Sequence, residues 1–304
     1  MKHISSTKQC LLAALFVWAL GATGCIKEEL DACYKLRLKV EKNGNDITSS
    51  GYVDNASLYI FDENLNHLET RRLDKDFIVS RKVIELPYPE NRKLKIVAWG
   101  NETNGRQDVS EADRIEELKV MLKSQGGLAQ TPDSLYYGNK QVVTKAGGIA
   151  DADAEIVIRP KVGTFTIQTV GLEYKLRSMG LKAAGELDYT MDRTLSGFDY
   201  QGKLIGDSVY YVPRSAWNDS GKEWVTPVEE TMCAGENLMV TLNMGGTQLA
   251  TAIEAEDTET HIWGPIVCRE GKLTEVVLRF AEDGSLSARM RITPWGAVRD
   301  SIKF

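Results

Sequence analysis

The 304-residue sequence is poor in the residues and motifs on which most enzymes depend. It contains three histidines and five cysteines, and no two cysteines have the C-x-x-C spacing that metal sites favour. It has neither the glycine–lysine–serine/threonine pattern of a phosphate-binding loop nor the G-x-S-x-G pattern of a serine hydrolase. We therefore expect no enzyme activity, no bound metal, no cofactor and no small-molecule substrate.

The sequence also lacks a hydrophobic run long enough for a transmembrane helix, which needs about 20 apolar residues. The run CLLAALFVWAL covers only residues 10–20, with two lysines before it and the small residues 22–24 after it. This pattern is typical of an export signal with a cleavage site. A cysteine, Cys25, follows directly, as in bacterial lipoproteins, whose cysteine is acylated. We predict a lipoprotein signal peptide over residues 1–24 and lipidation of Cys25; an ordinary signal beside an incidental cysteine is the alternative.

Basic clusters are absent from the rest of the chain. Without the signal peptide and its two lysines, 35 basic residues face 43 acidic ones, a net charge of −8. We therefore expect no nucleic-acid partner, and no basic amphipathic stretch is present to hold the protein on anionic lipid. The residues IKEE after Cys25 resemble the export tag of surface lipoproteins of Bacteroidetes, although a polar tether has the same composition.

Three cysteines remain after cleavage and lipidation, namely Cys33, Cys233 and Cys268. An odd number allows at most one disulfide within the chain. A Cys233–Cys268 bridge is conceivable, and three buried thiols are an equal alternative because a free cysteine behaves as a small hydrophobe.

Most of the sequence alternates between apolar and polar residues, which predicts β-strands. The run YKLRLKVE over residues 34–41 is the first example, and many such runs follow, separated by glycine, asparagine and aspartate turns. One helix is predicted over Ser110–Ser124, where an apolar face follows a serine cap. The length and a change of composition near Pro160 predict two β-sandwich domains, residues 25–160 and 161–304.

Histidines and acidic residues give weak candidate sites. His67 lies in a predicted strand, and His261 has acidic neighbours that could orient it as a base, but no nucleophile motif accompanies either. In DADAE, the carboxylates of Asp151, Asp153 and Glu155 could share a face and bind calcium. The glycine and the ligand spacing of a calcium loop are missing, so a solvated acidic edge is the better interpretation.

Two tryptophans are the candidates for an exposed aromatic surface. Trp217 and Trp224 lie in RSAWNDSGKEWVTP, whose polar residues are typical of a loop. The rings could stack on sugars, or they could pack inward from a hairpin; we favour inward packing because large aromatics usually bury their area.

A series of short motifs resembles the FimB-like fimbrial anchor family of the Bacteroidales, which belongs to the type V fimbriae. The motifs follow the lipoprotein signal and the strand after Cys33, and they are VDNASLYIFDENLN, LKIVAWGN, LYYG, RPKVGTFTIQTVGL, LSGFDYQGKL and ITPWG. The resemblance covers the whole mature chain. One departure is Tyr34, where a proline often follows the early cysteine.

The resemblance implies a fold of two transthyretin-like Greek-key β-sandwiches. It also implies a non-catalytic protein that is held in the outer membrane by lipid, is surface-exposed, and binds fimbrial shaft or accessory subunits. Related shaft subunits assemble by strand exchange, and the candidate strands here are Tyr34–Glu41 and Ser287–Phe304. The latter is preferred as the partner contact, with an ordinary core strand as an equal alternative for it. We expect Arg37 to be sheltered in a paired strand. The alternatives are an accessory or tip subunit and, in another class, a surface glycan-binding lipoprotein.

Overall fold

The computed structural model describes residues 34–88, 91–144, 155–182, 185–296 and 302. Within these residues, the protein is built mainly of strands. In chain order the strands of the first half are β1 (Tyr34–Lys42), β2 (Asn45–Asp46), β3 (Asn55–Phe61), β4 (His67–Asp74), β5 (Ile84–Leu86), β6 (Lys93–Gly100), β7 (Gln107–Val109), β8 (Val120–Leu122), β9 (Ser124–Gln125), β10 (Leu128–Ala129), β11 (Tyr136–Val143) and β12 (Glu155–Pro160).

The second half continues in the same manner. Its strands are β13 (Gly163–Val170), β14 (Leu187–Phe198), β15 (Leu204–Tyr211), β16 (Ala216–Trp217), β17 (Trp224–Val225), β18 (Glu230–Met232), β19 (Gly235–Met244), β20 (Thr247–Ala252), β21 (Glu254–Asp257), β22 (Trp263–Cys268), β23 (Lys272–Phe280) and β24 (Leu286–Pro294). Two short α-helices are described, α1 (Lys75–Val79) and α2 (Leu172–Ser178), with 3-10 turns at Thr48–Ser50 and Ile115–Glu117.

The strands form two sheets, which confirms the predicted β class. The first has the order β2-β1-β12-β11-β6-β3-β4, and β5 adds to β1. The second has the order β16-β17-β13-β23-β24-β21-β22-β19-β14-β15-β10-β9, with β18 on β13, β20 on β19, β8 on β14 and β7 on β8. The division of the mature chain at residue 160 stays a prediction. The strands β7 to β10, which precede that position, belong to the second sheet.

The predicted helix over Ser110–Ser124 is wrong. The segment forms a 3-10 turn and then the strands β8 and β9. Leu118, Val120 and Leu122 all point into the core, a two-residue period that a strand produces. The helical prediction rested on Ile115, Leu118 and Leu122, and in a helix Val120 would lie on the opposite face. Pairing of β8 with β7 and β14 then decides the outcome, because tertiary pairing satisfies the backbone of the segment.

Two apolar clusters fill the molecule. The smaller lies on one face of the first sheet and includes Leu36, Leu38 and Val40 of β1. The larger combines residues of both sheets, among them Trp99 of β6 and Phe198 of β14. Their rings lie 5.6 Å apart, so the two sheets share this core.

The chain passes between the two sheets at one end of the first sheet. It leaves that sheet after Gly100, returns at Tyr136 and leaves again after Pro160. Tyr136 is paired in register with both Gly100 and Pro160. All three connections therefore lie at the same level, and the second sheet is joined to this end.

Replacement of Trp99 by alanine should destabilise the protein strongly. The side chain is fully buried and contacts the rings of Tyr137 and Phe198, so its loss leaves a cavity between the sheets. We expect the free energy of unfolding to fall by about 3–5 kcal/mol, measured by urea denaturation. Trp217→Ala is the matched control, and because Trp217 is 43 % exposed it should cost about 1 kcal/mol or less. Equal losses in the two variants would contradict a shared core at Trp99.

Candidate functional site

The first strand is an integral part of the first sheet. Residues 37–40 of β1 pair in parallel with residues 155–158 of β12. On the same strand, residues 34–36 pair with β5 and residues 41–42 pair with β2, both antiparallel. Tyr34, at the start of the strand, is only 8 % exposed. The first described residue of the chain is therefore already packed in the smaller apolar cluster.

Arg37 lies within this paired region, opposite Glu155 of β12. Its main chain is paired, as predicted, while its side chain is exposed to solvent. A protease must bind an extended, unpaired main chain to cut it. Cleavage after Arg37 therefore requires β1 to leave the sheet first.

Charged residues line the outward face of β1. Glu41 accepts a salt bridge from Lys39 at 2.9 Å and a second from Arg159 of β12. The hydrogen bond from Lys39 is the main cause that holds the pKa of Glu41 below its ordinary value, and Arg159 adds to it. The pair with Lys39 lies within β1, whereas the pair with Arg159 connects neighbouring strands; both lie at the surface, so each adds little to stability.

A contact between the end of β1 and the end of β24 joins the two halves of the chain. The Lys42 ammonium lies 4.8 Å from the ring centroid of Tyr52 and 4.5 Å from that of Trp295. The side-chain amide of Asn43 donates to the carbonyl oxygen of Trp295 at 3.3 Å. Partial burial lowers the pKa of Lys42. We call Lys42, Asn43, Tyr52 and Trp295 the clasp.

The sequence reasoning missed the clasp, since its members come from opposite ends of the chain. Nothing in the local pattern pairs a lysine after β1 with a tryptophan after β24. The aromatic residue in ITPWG is the one available signal, and a tryptophan beside a strand does not indicate which cation it will contact.

The preferred C-terminal contact segment, Ser287–Phe304, is described as far as residue 296 and at Ile302. Its strand, β24, pairs with β23 at nine positions and with β21 at Arg289 and Met290. Arg291 and Glu275 form a salt bridge of 2.7 Å on this sheet. Ile302 lines a cavity of about 240 Å³ together with residues of β13, β17 and β23. The other residues after 296 lie outside the described part.

The two candidate tryptophans form a hairpin pair with different surroundings. Trp217 and Trp224 lie opposite each other in β16 and β17, with their ring centroids 5.4 Å apart and the rings nearly perpendicular. Trp224 packs against the larger core, whereas Trp217 is 43 % exposed. The predicted inward packing therefore holds for Trp224 and not for Trp217, and the perpendicular rings do not make one flat platform.

The two histidines lie in separate polar contacts. His67 Nε2 is 2.9 Å from the Thr70 hydroxyl, and His261 Nδ1 is 3.0 Å from a carboxylate oxygen of Glu256. Glu256 also accepts from Arg289 at 3.1 Å. The pKa of Glu256 is lowered, chiefly by its hydrogen bond with His261. Glu256 thus behaves as a charged partner in an ion-pair network.

The acidic run DADAE is described only at its last residue. Asp151 and Asp153 lie outside the described residues. Glu155 begins β12, and its main-chain oxygen accepts a hydrogen bond from Lys140 at 2.9 Å. Among the residues that the structure describes, no group of three or more histidine, cysteine or acidic side chains is placed to hold a metal ion.

Cys233 and Cys268 are free thiols, and both are fully buried. Burial raises the pKa of each thiol to about 12. The described cysteines thus follow the buried-thiol alternative, and protonated thiols of this kind react slowly. Cys33 lies outside the described residues, as does Cys25.

A groove of about 890 Å³ lies beside the hairpin of β9 and β10. Three basic side chains line it, and each has a carboxylate oxygen within 4 Å. The pairs are Arg106 with Asp133, Lys123 with Asp108 and Arg214 with Glu230. Since each positive charge has a nearby acid, the groove offers no concentrated charge for an anionic ligand.

A buried acid was also missed by the sequence reasoning. Glu102 is 1 % exposed, and neither carboxylate oxygen has a hydrogen-bond partner among the described residues. Desolvation raises the pKa of this carboxyl, and the nearby Ser57 hydroxyl only partly opposes it. A glutamate in the polar sequence NETNG gave no signal of burial, since such sequences are usually exposed.

Within the described residues, no helix is long and apolar enough to cross a membrane. The sequence pattern of one protein family, the fimbrillin-A associated anchor proteins Mfa1 and Mfa2, matches residues 30–301. The chain belongs to this family. The match includes both sheets, β1 and the clasp.

Two individual relatives align with most or all of this anchor-family chain. It is 23 % identical over 312 residues to the "Major fimbrium anchoring subunit FimB" of Porphyromonas gingivalis, an alignment that covers 100 % of this chain and 98 % of that protein. The solved structure of the fimbrial anchor protein Mfa2 from Porphyromonas gingivalis has a TM-score of 0.58 and 14 % identity, covering 86 % of this chain and 98 % of that one.

A second solved structure shares the fold of this anchor-family protein. It is a crystal structure described as "putative polysaccharide binding proteins" from Bacteroides thetaiotaomicron. The TM-score is 0.64 at 13 % identity, and the match covers 86 % of this chain and 98 % of that one. At this identity the likeness shows the fold alone, which confirms the predicted anchor-type fold.

Replacement of Glu102 by glutamine should stabilise the protein at neutral pH. A raised pKa means that the folded state holds the proton more tightly than the unfolded state, whose carboxyl titrates near 4.5. The unmodified protein therefore loses stability as pH rises from about 4.5 through the raised value. Urea denaturation should show Glu102→Gln more stable at pH 7 and nearly equal to the unmodified protein at pH 4. The exposed control Glu282→Gln should match the unmodified protein at both pH values; a fall in the stability of Glu102→Gln at pH 7 would contradict the unpaired carboxylate.

Proposed function

We propose that this protein is a non-catalytic, lipid-anchored fimbrial subunit that attaches a type V fimbria to the outer membrane through strand-mediated subunit contacts. The observation that carries the proposal is the end-to-end similarity to a curated anchoring subunit, which extends over the whole of this chain. That alignment includes the N-terminal segment with Cys25, not merely the β-sandwich region.

The lipid attachment is proposed at Cys25. Nine positions separate it from Tyr34, the first residue of β1. Acyl chains on Cys25 would hold the protein at the membrane, and the acidic surface would keep the folded part away from anionic lipid. We further propose that the folded part is surface-exposed and comprises two domains, residues 25–160 and 161–304.

The strand contact is proposed for the C-terminal segment from Ser287 onward. A strand at a sheet edge offers main-chain donors and acceptors to an added strand, and alternate side chains supply specificity. The pairing of β24 with β21 covers only two residues, against nine with β23. The other candidate, β1, pairs with three strands and places Leu36, Leu38 and Val40 in a core, so its role is to keep the tether attached.

Substitution of Cys25 should release the protein from the membrane. We expect Cys25→Ser to lose incorporation of radiolabelled palmitate and to move from the outer-membrane fraction to the soluble fraction, because the acyl chains are its proposed attachment. Cys33→Ser is the matched control and should keep both the label and the membrane location.

Two outcomes would contradict this assignment. One is a Cys25→Ser protein that still carries palmitate and remains in the outer membrane. The other is a mature protein whose N-terminus, read by mass spectrometry, begins after Arg37. That result would show that β1 and the lipid are removed, as expected for an accessory or tip subunit.

A further inference from the structure

The direction of β1 determines at which end of the first sheet the proposed tether is attached. Because β1 and β12 are parallel, both run toward the end of the first sheet at which Pro160 lies. Tyr34 is at the opposite end of β1, about 26 Å from Lys42 for nine residues in extended conformation. The chain from Cys25 therefore enters at the end of the sheet farthest from the second sheet.

The second sheet is connected at the other end. All three chain connections between the sheets lie at the level of Gly100, Tyr136 and Pro160. The clasp lies at this end too, since it joins Lys42 to Trp295 after β24. A pull between the N-terminus and the second sheet is therefore directed along the strands of the first sheet.

We propose that the first sheet is a mechanical clamp, in which tension between the N-terminus and the second sheet shears the β1–β12 pairing along its length. The physiological role of this clamp rests on the proposed fimbrial anchoring. In shear, the hydrogen bonds of the paired residues bear the load together, because they lie across the direction of pull. In peeling, the bonds would break one after another.

Side chains oppose slippage in the same direction. Leu36, Leu38 and Val40 occupy alternate positions in the smaller core, and each is at most 5 % exposed. A shift of β1 by one residue would turn these side chains to solvent and bury charged neighbours. At the far end, Lys42 must also leave the rings of Tyr52 and Trp295.

Single-molecule force spectroscopy on the purified mature chain tests the clamp. All variants carry Cys25→Ser, Cys33→Ser and a handle at the N-terminus, and the buried Cys233 and Cys268 should not react with the second handle. In the axial variant the second handle is attached through Arg159→Cys, at the end of β12. In the peeling variant it is attached through Glu155→Cys, at the start of β12, where Glu155 pairs with Arg37 at the near end of the β1–β12 pairing.

Both variants must lack the same ion pair, so the peeling variant also carries Arg159→Ser, which removes the partner of Glu41. Equal urea midpoints establish that both are folded. If the axial variant does not fold, Glu270→Cys replaces Arg159→Cys in it, and Glu270→Ser replaces Arg159→Ser in the peeling variant so that both still lack the same ion pair. Glu270 is exposed and forms a salt bridge with Lys161, which follows β12.

We expect the first rupture force to be at least about twofold higher in the axial variant, because the bonds then share the load. Equal forces, or a lower force in the axial variant, would overturn the clamp. The measurement needs no fimbria, so equal forces would leave the anchoring proposal intact. Fibres that stay attached to cells without this protein would defeat anchoring and leave the force result unchanged.

Discussion

The pairing of β1 with β12 is the constraint on which the rest of the structure depends. It places the segment that follows the N-terminal cysteines inside a sheet, and it buries Leu36, Leu38 and Val40 in the smaller core. Burial of each such side chain contributes about 1.5–3 kcal/mol, so removal of the strand would expose a large part of that core. The proposed tether would therefore lead directly into a paired strand of the fold.

The second sheet is tied to this arrangement by packing as well as by the chain. Trp99 of the first sheet and Phe198 of the second lie in one core, and the strands β7 to β10 come from the first half of the sequence while pairing in the second sheet. The clasp adds a polar and aromatic contact between the ends of β1 and β24. Membrane attachment at one end and a subunit contact at the other would therefore act on one connected body.

The sequence pattern predicted the elements whose structure depends on neighbouring residues in the chain. Alternation of apolar and polar residues over 34–41 located β1, because successive side chains of this strand alternate between the core and the surface. The same argument failed over Ser110–Ser124, where some apolar residues fit a helical face but the buried Val120 does not, and pairing with β14 selected the strand. The clasp and the buried Glu102 could not be predicted, since each is created by residues that meet only in the folded chain. The exposure of Trp217 beside the packed Trp224 likewise depends on the hairpin that holds them.

Electron microscopy of cells that lack this gene tests the central claim most directly, with fibres counted on the cells and in the medium. If the protein attaches a fimbria to the outer membrane, fibres should be found mainly in the medium, and restoring the unmodified gene should return them to the cells. Fibres that remain attached in unchanged number, in a strain with no second copy of the gene, would contradict the account.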